Sequence, residues 1–252
     1  MTRDYAFDQG FVQERKRLSA MESLWDPGSQ ALLDELGIGP GWRCLEVGAG
    51  GGSLMRWMAE RGVHVTAVDI DTRFIEQFAS DAIEVRRVDL RTDELPQSEF
   101  DLVHARLVLE HLTDRREILD RLAATLRPGG WIVIEDYDWS CFGFEGEDPG
   151  NVSGAMLGFM ERAGFQRDYG RRIVADLADA GFTDIRGEGR ARVVGSSDPG
   201  FDFFRLSFES LRDALVESGE LTAQDAETAA SRFGGDMRVF TPLMVAGIGR
   251  HA

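Results

Sequence analysis

A carboxylate set just ahead of a nearly side-chain-free bend is the pattern in this chain best suited to chemistry. The run Arg43-Cys44-Leu45-Glu46-Val47-Gly48-Ala49-Gly50-Gly51-Gly52-Ser53 leads a short apolar segment into four glycines and one alanine within five positions. Such a bend lets backbone approach a ligand closely and adopt positive φ, and a helix beginning near Leu54 would offer unpaired N–H groups to the same space. Glu46 would repel a diphosphate and attract an ammonium or sulfonium group, so the pattern selects a cationic nucleoside. Asp69 lies about 20 residues beyond Gly48, the spacing of a carboxylate that grips ribose hydroxyls. Farther on, Asp89 is expected to accept from an adenine amino group, and Leu90 to cover the ring.

These residues need a sheet to present them. Apolar runs predict strands at Arg43–Val47, Val63–Val68, Ile83–Val88, Phe100–Ala105 and Trp131–Glu135, with each candidate ligand group just past a carboxyl end. Leu126-Arg127-Pro128-Gly129-Gly130 reads as a helix stop before the fifth strand. Phe11–Glu22 and Pro27–Leu36 read as two helices of an N-terminal cap, closed by the Gly37–Gly41 turn cluster. Beyond the fifth strand, Tyr169–Ala180 is helix-compatible and Thr183–Val194 is a sixth strand. Phe203–Ser218 and Thr222–Phe233 form a helical pair, with Thr222 as N-cap and Asp225 at the third helical position. Arg238–Gly249 can supply a last strand.

The stretches CLEVGAGGGS, VTAVDID, RRVDL, FDLVHARLVLEHL and LRPGGWIVIEDYD, in this order, resemble the class I S-adenosylmethionine-dependent methyltransferases over roughly residues 40–137. The resemblance implies an α/β fold: a Rossmann-like, seven-stranded, mostly parallel sheet with helices on both faces, its last strand antiparallel, carrying an N-terminal helical cap and helical insertions. It implies one domain over residues 1–252, divided into a cap (1–40), a cofactor-binding core (41–138) and an acceptor lid with helical insert and last strands (139–252). S-adenosyl-L-methionine is the implied cofactor, held by Arg17, Glu46, Gly48, Ala49, Gly50, Asp69, Ile70, Asp89, Leu90, Ala105 and Arg106. Arg17 belongs to the Glu14–Leu18 stretch, which resembles a recurrent cap, and would meet the cofactor carboxylate; the alternative is an exposed helix arginine. Arg106 is expected to offer backbone contacts to the methionine part, and its side chain to pair with Asp101 or Glu110.

Methyl transfer from a sulfonium is an in-line displacement, so a protein must chiefly align the reactants and exclude water. Where a base is needed, His111 is the first candidate, with helix capping as its alternative role, and the Glu135-Asp136-Tyr137-Asp138 run is the second. His104, inside the fourth strand, is expected to be packed there. Between Tyr137 and Tyr169, Trp139, Phe142, Phe144, Met156, Phe159, Met160 and Phe165 form a candidate acceptor lid or plain core. Phe201, Phe203, Phe204 and Phe208 add apolar surface for a bulky organic acceptor or for packing. Asp69, Asp71 and Asp136 do not by themselves define a metal site, and none is expected.

Composition bounds the function. With 252 residues and 43% hydrophobic content the chain can bury one large core with a lid. A formal charge of −16 disfavours nucleic acid, and Arg86-Arg87 and Arg171-Arg172, the candidates for a local basic patch, read as surface arginines. Two cysteines, Cys44 and Cys141, fit a reducing cytoplasm, and Met1–Gly10 lacks a leader pattern. No apolar run suits a membrane span. The expected function is methyl transfer to a small or medium organic acceptor, a specialised metabolite in particular, with a homodimer as one expected arrangement. An alternative is a cyclase or rearrangement catalyst that binds the same cofactor without transfer. A nicotinamide dehydrogenase ranks last, because Ser53 replaces the third glycine of its fingerprint.

Overall fold

A computed structural model describes residues 12–252. Met1–Gly10 and Phe11, the first residue of the expected cap helix, lie outside the described residues.

The central sheet contains β1 (Arg43–Val47), β2 (His64–Asp69), β3 (Ile83–Arg87), β4 (Phe100–Arg106), β5 (Leu126–Asp138), β7 (Thr183–Arg190) and β10 (Leu243–Arg250). Its order is β3-β2-β1-β4-β5-β10-β7, and β10 runs antiparallel to both neighbours. Alternate residues of the inner strands feed opposite faces, which is why those strands read as continuous apolar runs. Leu45, Val47, Val103, Ile132 and Ile134 pack under α3 (Arg115–Thr125) and α5 (Ile173–Asp179). Cys44, Leu102 and Val133 pack with α2 (Ser53–Ala59) and the second half of α1 (Glu14–Glu35).

A third core sits over the carboxyl edge of the sheet. It joins the first half of α1 to α4 (Val152–Arg162), α6 (Phe201–Glu217) and α7 (Ala223–Phe233). A small antiparallel sheet, ordered β6 (Gly143–Phe144), β9 (Arg238–Phe240), β8 (Val193–Gly195), completes it. Thr222 caps α7 as expected, its Oγ1 accepting from the Asp225 N–H at 3.1 Å.

Five elements differ from expectation. The two cap helices are one, α1, which passes through Pro27. Losing a helix bond at proline costs roughly 3 kcal/mol, and burial of Trp25, Leu32 and Leu33 on the two sides, at about 1.5–3 kcal/mol each, offsets it. The helix stop after α3 also belongs to β5: Leu126 pairs with Phe100, and a register shift absorbs Pro128-Gly129-Gly130 before Trp131 meets Leu102. The sixth strand divides into β7 and β8, which join different sheets, and the tail divides likewise into β9 and β10. Both segments change sheet where the Arg192 N–H donates to Thr241 Oγ1 (2.9 Å) and the Thr241 N–H to the Arg192 carbonyl (2.9 Å). The lid, finally, contains a regular helix, α4.

Candidate active site

The glycine bend follows β1 and turns at Gly48 (φ +65°) and Gly50 (φ +55°), a region costly for residues with a Cβ. A Cβ on Gly48 would also collide with Val108 from the loop after β4. That loop has its own left-handed residue, Leu107 (φ +57°), whose N–H is tied to the Glu135 carbonyl at 2.8 Å. The turn at Leu107 brings Val108, Glu110 and His111 to the same space as the bend. Leu107 was not visible as a functional position, since positive φ in a leucine has no sequence signature.

Between the bend and the cap lies a cavity of about 520 Å³. Of the expected ligand residues, Arg17, Gly48, Gly50, Asp69, Ile70, Asp89, Leu90, Arg106 and His111 line it. Glu46 and Ala49 do not; with Gly48 and Arg106 they line a small adjoining crevice. Ala105 lines neither and is packed in the core of the α3 face. Glu46 has a partner that its position in the sequence did not indicate. Its Oε2 lies 2.8 Å from His104 Nδ1, directly across the β1–β4 register. The carboxylate is engaged by the strand beside it.

His104 is the middle of a buried polar chain. Its Nε2 lies 3.1 Å from Glu135 Oε2, which also accepts from Ser29 Oγ at 2.5 Å. Arg190 donates to the other Glu135 oxygen. Burial, then the nearby Arg106 and Arg192 charges, push the Arg190 guanidinium down to about 10. Arg106 donates to Ser29 Oγ (2.9 Å) and Asp26 Oδ1 (2.8 Å). Its partners are thus on α1, whereas Asp101 or Glu110 had been expected. Asp101 instead accepts from Arg127 at 3.0 Å.

Asp69 holds the bend in shape. Its Oδ2 accepts from the Gly50 N–H (2.9 Å) and its Oδ1 from the Asp71 N–H (3.0 Å). Burial raises its carboxyl above the ordinary aspartate range, and the two N–H groups partly counter this. Asp89 is tied to Arg91 through both oxygens, at 3.1 Å each, and the Arg91 bond lowers its pKa. Arg17, expected to face a carboxylate, is buried on the cavity wall with Nη2 2.7 Å from Glu14 Oε1. Arg15, which the sequence did not single out, donates to the Gly51 carbonyl at 2.8 Å.

His111 lies on the cavity beside the Phe165 ring, centroids 5.1 Å apart. Burial, followed by the Arg17 and Arg115 charges, pushes its imidazole down to about 3. A side chain so reluctant to accept a proton is a poor general base. Its NMR ring signals are expected to stay in the neutral form across roughly pH 5–8, where an unperturbed histidine titrates; a midpoint inside that window would contradict the assignment. In the second candidate run, Glu135 belongs to the buried chain and Asp138 is bonded to Arg171 at 2.7 Å. Tyr137 lines the cavity and accepts from Trp25 Nε1 at 2.6 Å, while burial raises its phenol further.

The far end of the cavity is apolar. Trp139, Phe142, Phe144, Met156, Met160 and Phe165 from the lid meet Phe203, Phe204 and Phe233 from α6 and α7. Phe142 stacks on Phe204 (5.6 Å, 29°) and meets Trp139 edge-on (4.9 Å, 67°). Phe159 does not line the cavity, and Phe201 and Phe208 serve the cap core. Arg86, Arg171 and Arg172 pair with Glu84, Asp138 and Asp176, and Arg87 Nε donates to the Ile70 carbonyl. Among the described residues, no group of three or more metal-ligating side chains converges, and no helix is long and apolar enough to cross a membrane.

Sheet order, glycine bend and acids at the strand ends together define a nucleoside-binding α/β protein of the methyltransferase type. The chain belongs to the methyltransferase domain family, whose model matches residues 15–186. Phosphoethanolamine N-methyltransferase 1 of Arabidopsis thaliana is 28% identical over 192 residues, covering 73% of this chain and 35% of that protein. An uncharacterized methyltransferase of Mycobacterium bovis is 38% identical over 121 residues, 45% of this chain and 61% of that one. The chain thus spans about a third to three fifths of the length of these curated relatives. Among solved structures, phosphoethanolamine N-methyltransferase 2 of Haemonchus contortus, complexed with phosphomonomethylethanolamine and S-adenosylhomocysteine, shares the fold with a TM-score of 0.57 at 16% identity. That likeness covers 95% of this chain and 58% of the other. The YcgJ protein of Bacillus subtilis does so with a TM-score of 0.59 at 13% identity, over 89% and 99% of the two chains.

Proposed function

We propose that this protein transfers a methyl group from S-adenosyl-L-methionine to a ring-bearing organic molecule of moderate size. The observation that carries this reading is the single cavity running from the glycine bend and Asp69 to a far end walled by aromatic rings and methionines. When bound, the donor supplies an electrophilic methyl group on a positively charged sulfur. Asp69 is suited to ribose hydroxyls, Ile70 and Leu90 to the faces of the base, and Asp89 to its amino group in competition with Arg91. Gly48 and Gly50 allow close backbone approach, and Arg17 and Arg106, each paired with an acid, border the space for the amino-acid end. Ala49, Ala105 and Glu46 act indirectly, by shaping the bend and its supporting strands. The aromatic walls exclude water and align the acceptor. In this reading the described part of the cap (12–40), the core (41–138) and the lid (139–252) work as one catalytic unit.

The acceptor differs in kind from the phosphorylated amine in the names of the relatives. Each arginine on the cavity already has an acid: Arg17 with Glu14, Arg73 with Asp71, Arg91 with Asp89, and Arg106 with Asp26. The far end is dominated by rings and thioethers, which reward apolar area, with Ser153 and Ser207 as the hydroxyls among them. Purified protein incubated with methyl-labelled donor is expected to label members of a panel of phenols and aryl amines and to leave phosphoethanolamine unlabelled. Labelling of phosphoethanolamine alone would reject the ring-bearing acceptor.

A further inference from the structure

Glu110 and Asp136 are two acids enclosed together with little to balance them. Glu110 is 2% exposed on the cavity wall and Asp136 is fully buried in β5. Glu110 Oε2 accepts from the Tyr137 N–H at 3.0 Å. Neither Asp136 oxygen reaches a donor with normal geometry, although the N–H groups of Val108, Leu109 and Glu110 favour its charged form. Arg115, the cation of α3 beside them, spends Nη2 on the carbonyls of Glu110 (3.0 Å) and Gly164 (2.8 Å), and its Nε is buried without a partner. The His111 ring lies 3.6 Å from Glu110 Oε1 but is held neutral. Burial raises both carboxyls, and the Asp136 charge raises Glu110 further, since two adjacent acids in a dry space do not both ionise.

We propose that the Glu110–Asp136 pair is a proton-linked counter-charge for the sulfonium of the methyl donor: it holds a proton while the cavity lacks a cation and releases it when the cation enters. The proposal rests on the methyl-donor reading above. A positive charge near a carboxyl favours its ionised form, so the donor and the pair's proton compete for the same negative charge. S-adenosylhomocysteine carries no sulfonium and leaves the proton in place. In the transfer itself, the acceptor atom's lone pair forms the new bond to carbon and the C–S bonding pair stays on sulfur as a neutral thioether. The pair then takes up the proton that the acceptor atom gives up. The spent cofactor is left beside a pair that no longer attracts it.

The other groups facing the pair do not mimic this behaviour. Tyr137 of β5 and Tyr169 ahead of α5 are raised above the usual phenol range by burial and stay neutral. His111 stays neutral, and Arg115 and Arg17 are guanidinium groups that remain charged. Asp176 of α5 acts on Tyr169 and Arg115. Burial raises the Asp69 and Glu22 carboxyls as well, and any proton release that they contributed would persist in Glu110→Gln.

The test is calorimetric titration of the whole chain with S-adenosylmethionine and with S-adenosylhomocysteine, each in two buffers of different ionisation heat. Release of about one proton is expected with the first and none with the second. As pH rises through the titration of the pair, donor affinity should increase by up to about tenfold per pH unit while product affinity stays flat. Glu110→Gln should abolish both differences while still binding the product, which shows that it is folded; Asp136→Asn is the parallel variant. Equal proton counts for the two ligands in the native chain, or release that persists in both variants, would overturn the proposal and leave the methyl-donor reading standing. Failure of both ligands to bind the native chain would remove both.

Discussion

Replacing Asp69 with alanine is expected to weaken S-adenosylhomocysteine binding by roughly 1–3 kcal/mol, about fivefold to 150-fold in Kd. Two losses add up. The carboxylate accepts from the Gly50 and Asp71 N–H groups, so its removal frees the bend from its present shape. The same carboxylate reaches the cavity, where it is proposed to accept from the ribose hydroxyls. Asp69→Asn retains one acceptor oxygen in the same volume and should fall between the native chain and Asp69→Ala. Calorimetry decides the matter, and an alanine variant with native affinity would remove Asp69 from the site.

Glu135→Ala is expected to cost the fold roughly 3–5 kcal/mol, the range for breaking a buried charge pair by deleting one partner. Glu135 is fully buried and is shared by Ser29, His104 and Arg190, so its loss strands three polar groups on α1, β4 and β7 at once. For a domain of this size the unfolding temperature should drop by about 6–20 °C. Glu135→Gln keeps an acceptor for Ser29 and should lose less. A drop below about 1 kcal/mol in urea unfolding would mean that Arg190 and His104 find other partners.

Much of the fold was legible because the inner strands are buried on both faces, which leaves apolar runs that need no pairing information to recognise. The glycine bend and Asp69 were legible for a related reason: they depend on local backbone chemistry and on spacing along the chain. The partner of Glu46, His104, was not legible because it lies across a strand register, and a one-dimensional pattern does not reveal who sits opposite whom. Pro27 misled because proline's local cost is visible in sequence while the burial of Trp25 and Leu33 is not. The division of Thr183–Val194 between two sheets depends on Thr241, about 50 residues later. Glu110, expected only as a partner of Arg106, carries a signal of its own, an acid embedded in the largely apolar run Leu107-Val108-Leu109-Glu110-His111-Leu112. An acid in such a setting is either a helix-surface residue or a buried group with a task. His111 drew attention by its residue type, yet the burial that brings it to the cavity removes the basicity that made it attractive.

The most direct measurement is titration of the purified chain with S-adenosylhomocysteine, followed by a nicotinamide dinucleotide in the same cell. The bend, Asp69 and the aromatic-walled cavity predict saturable uptake of one thioether nucleoside per chain and no heat from the dinucleotide. Saturation by the dinucleotide, with no response to the thioether, would contradict the account.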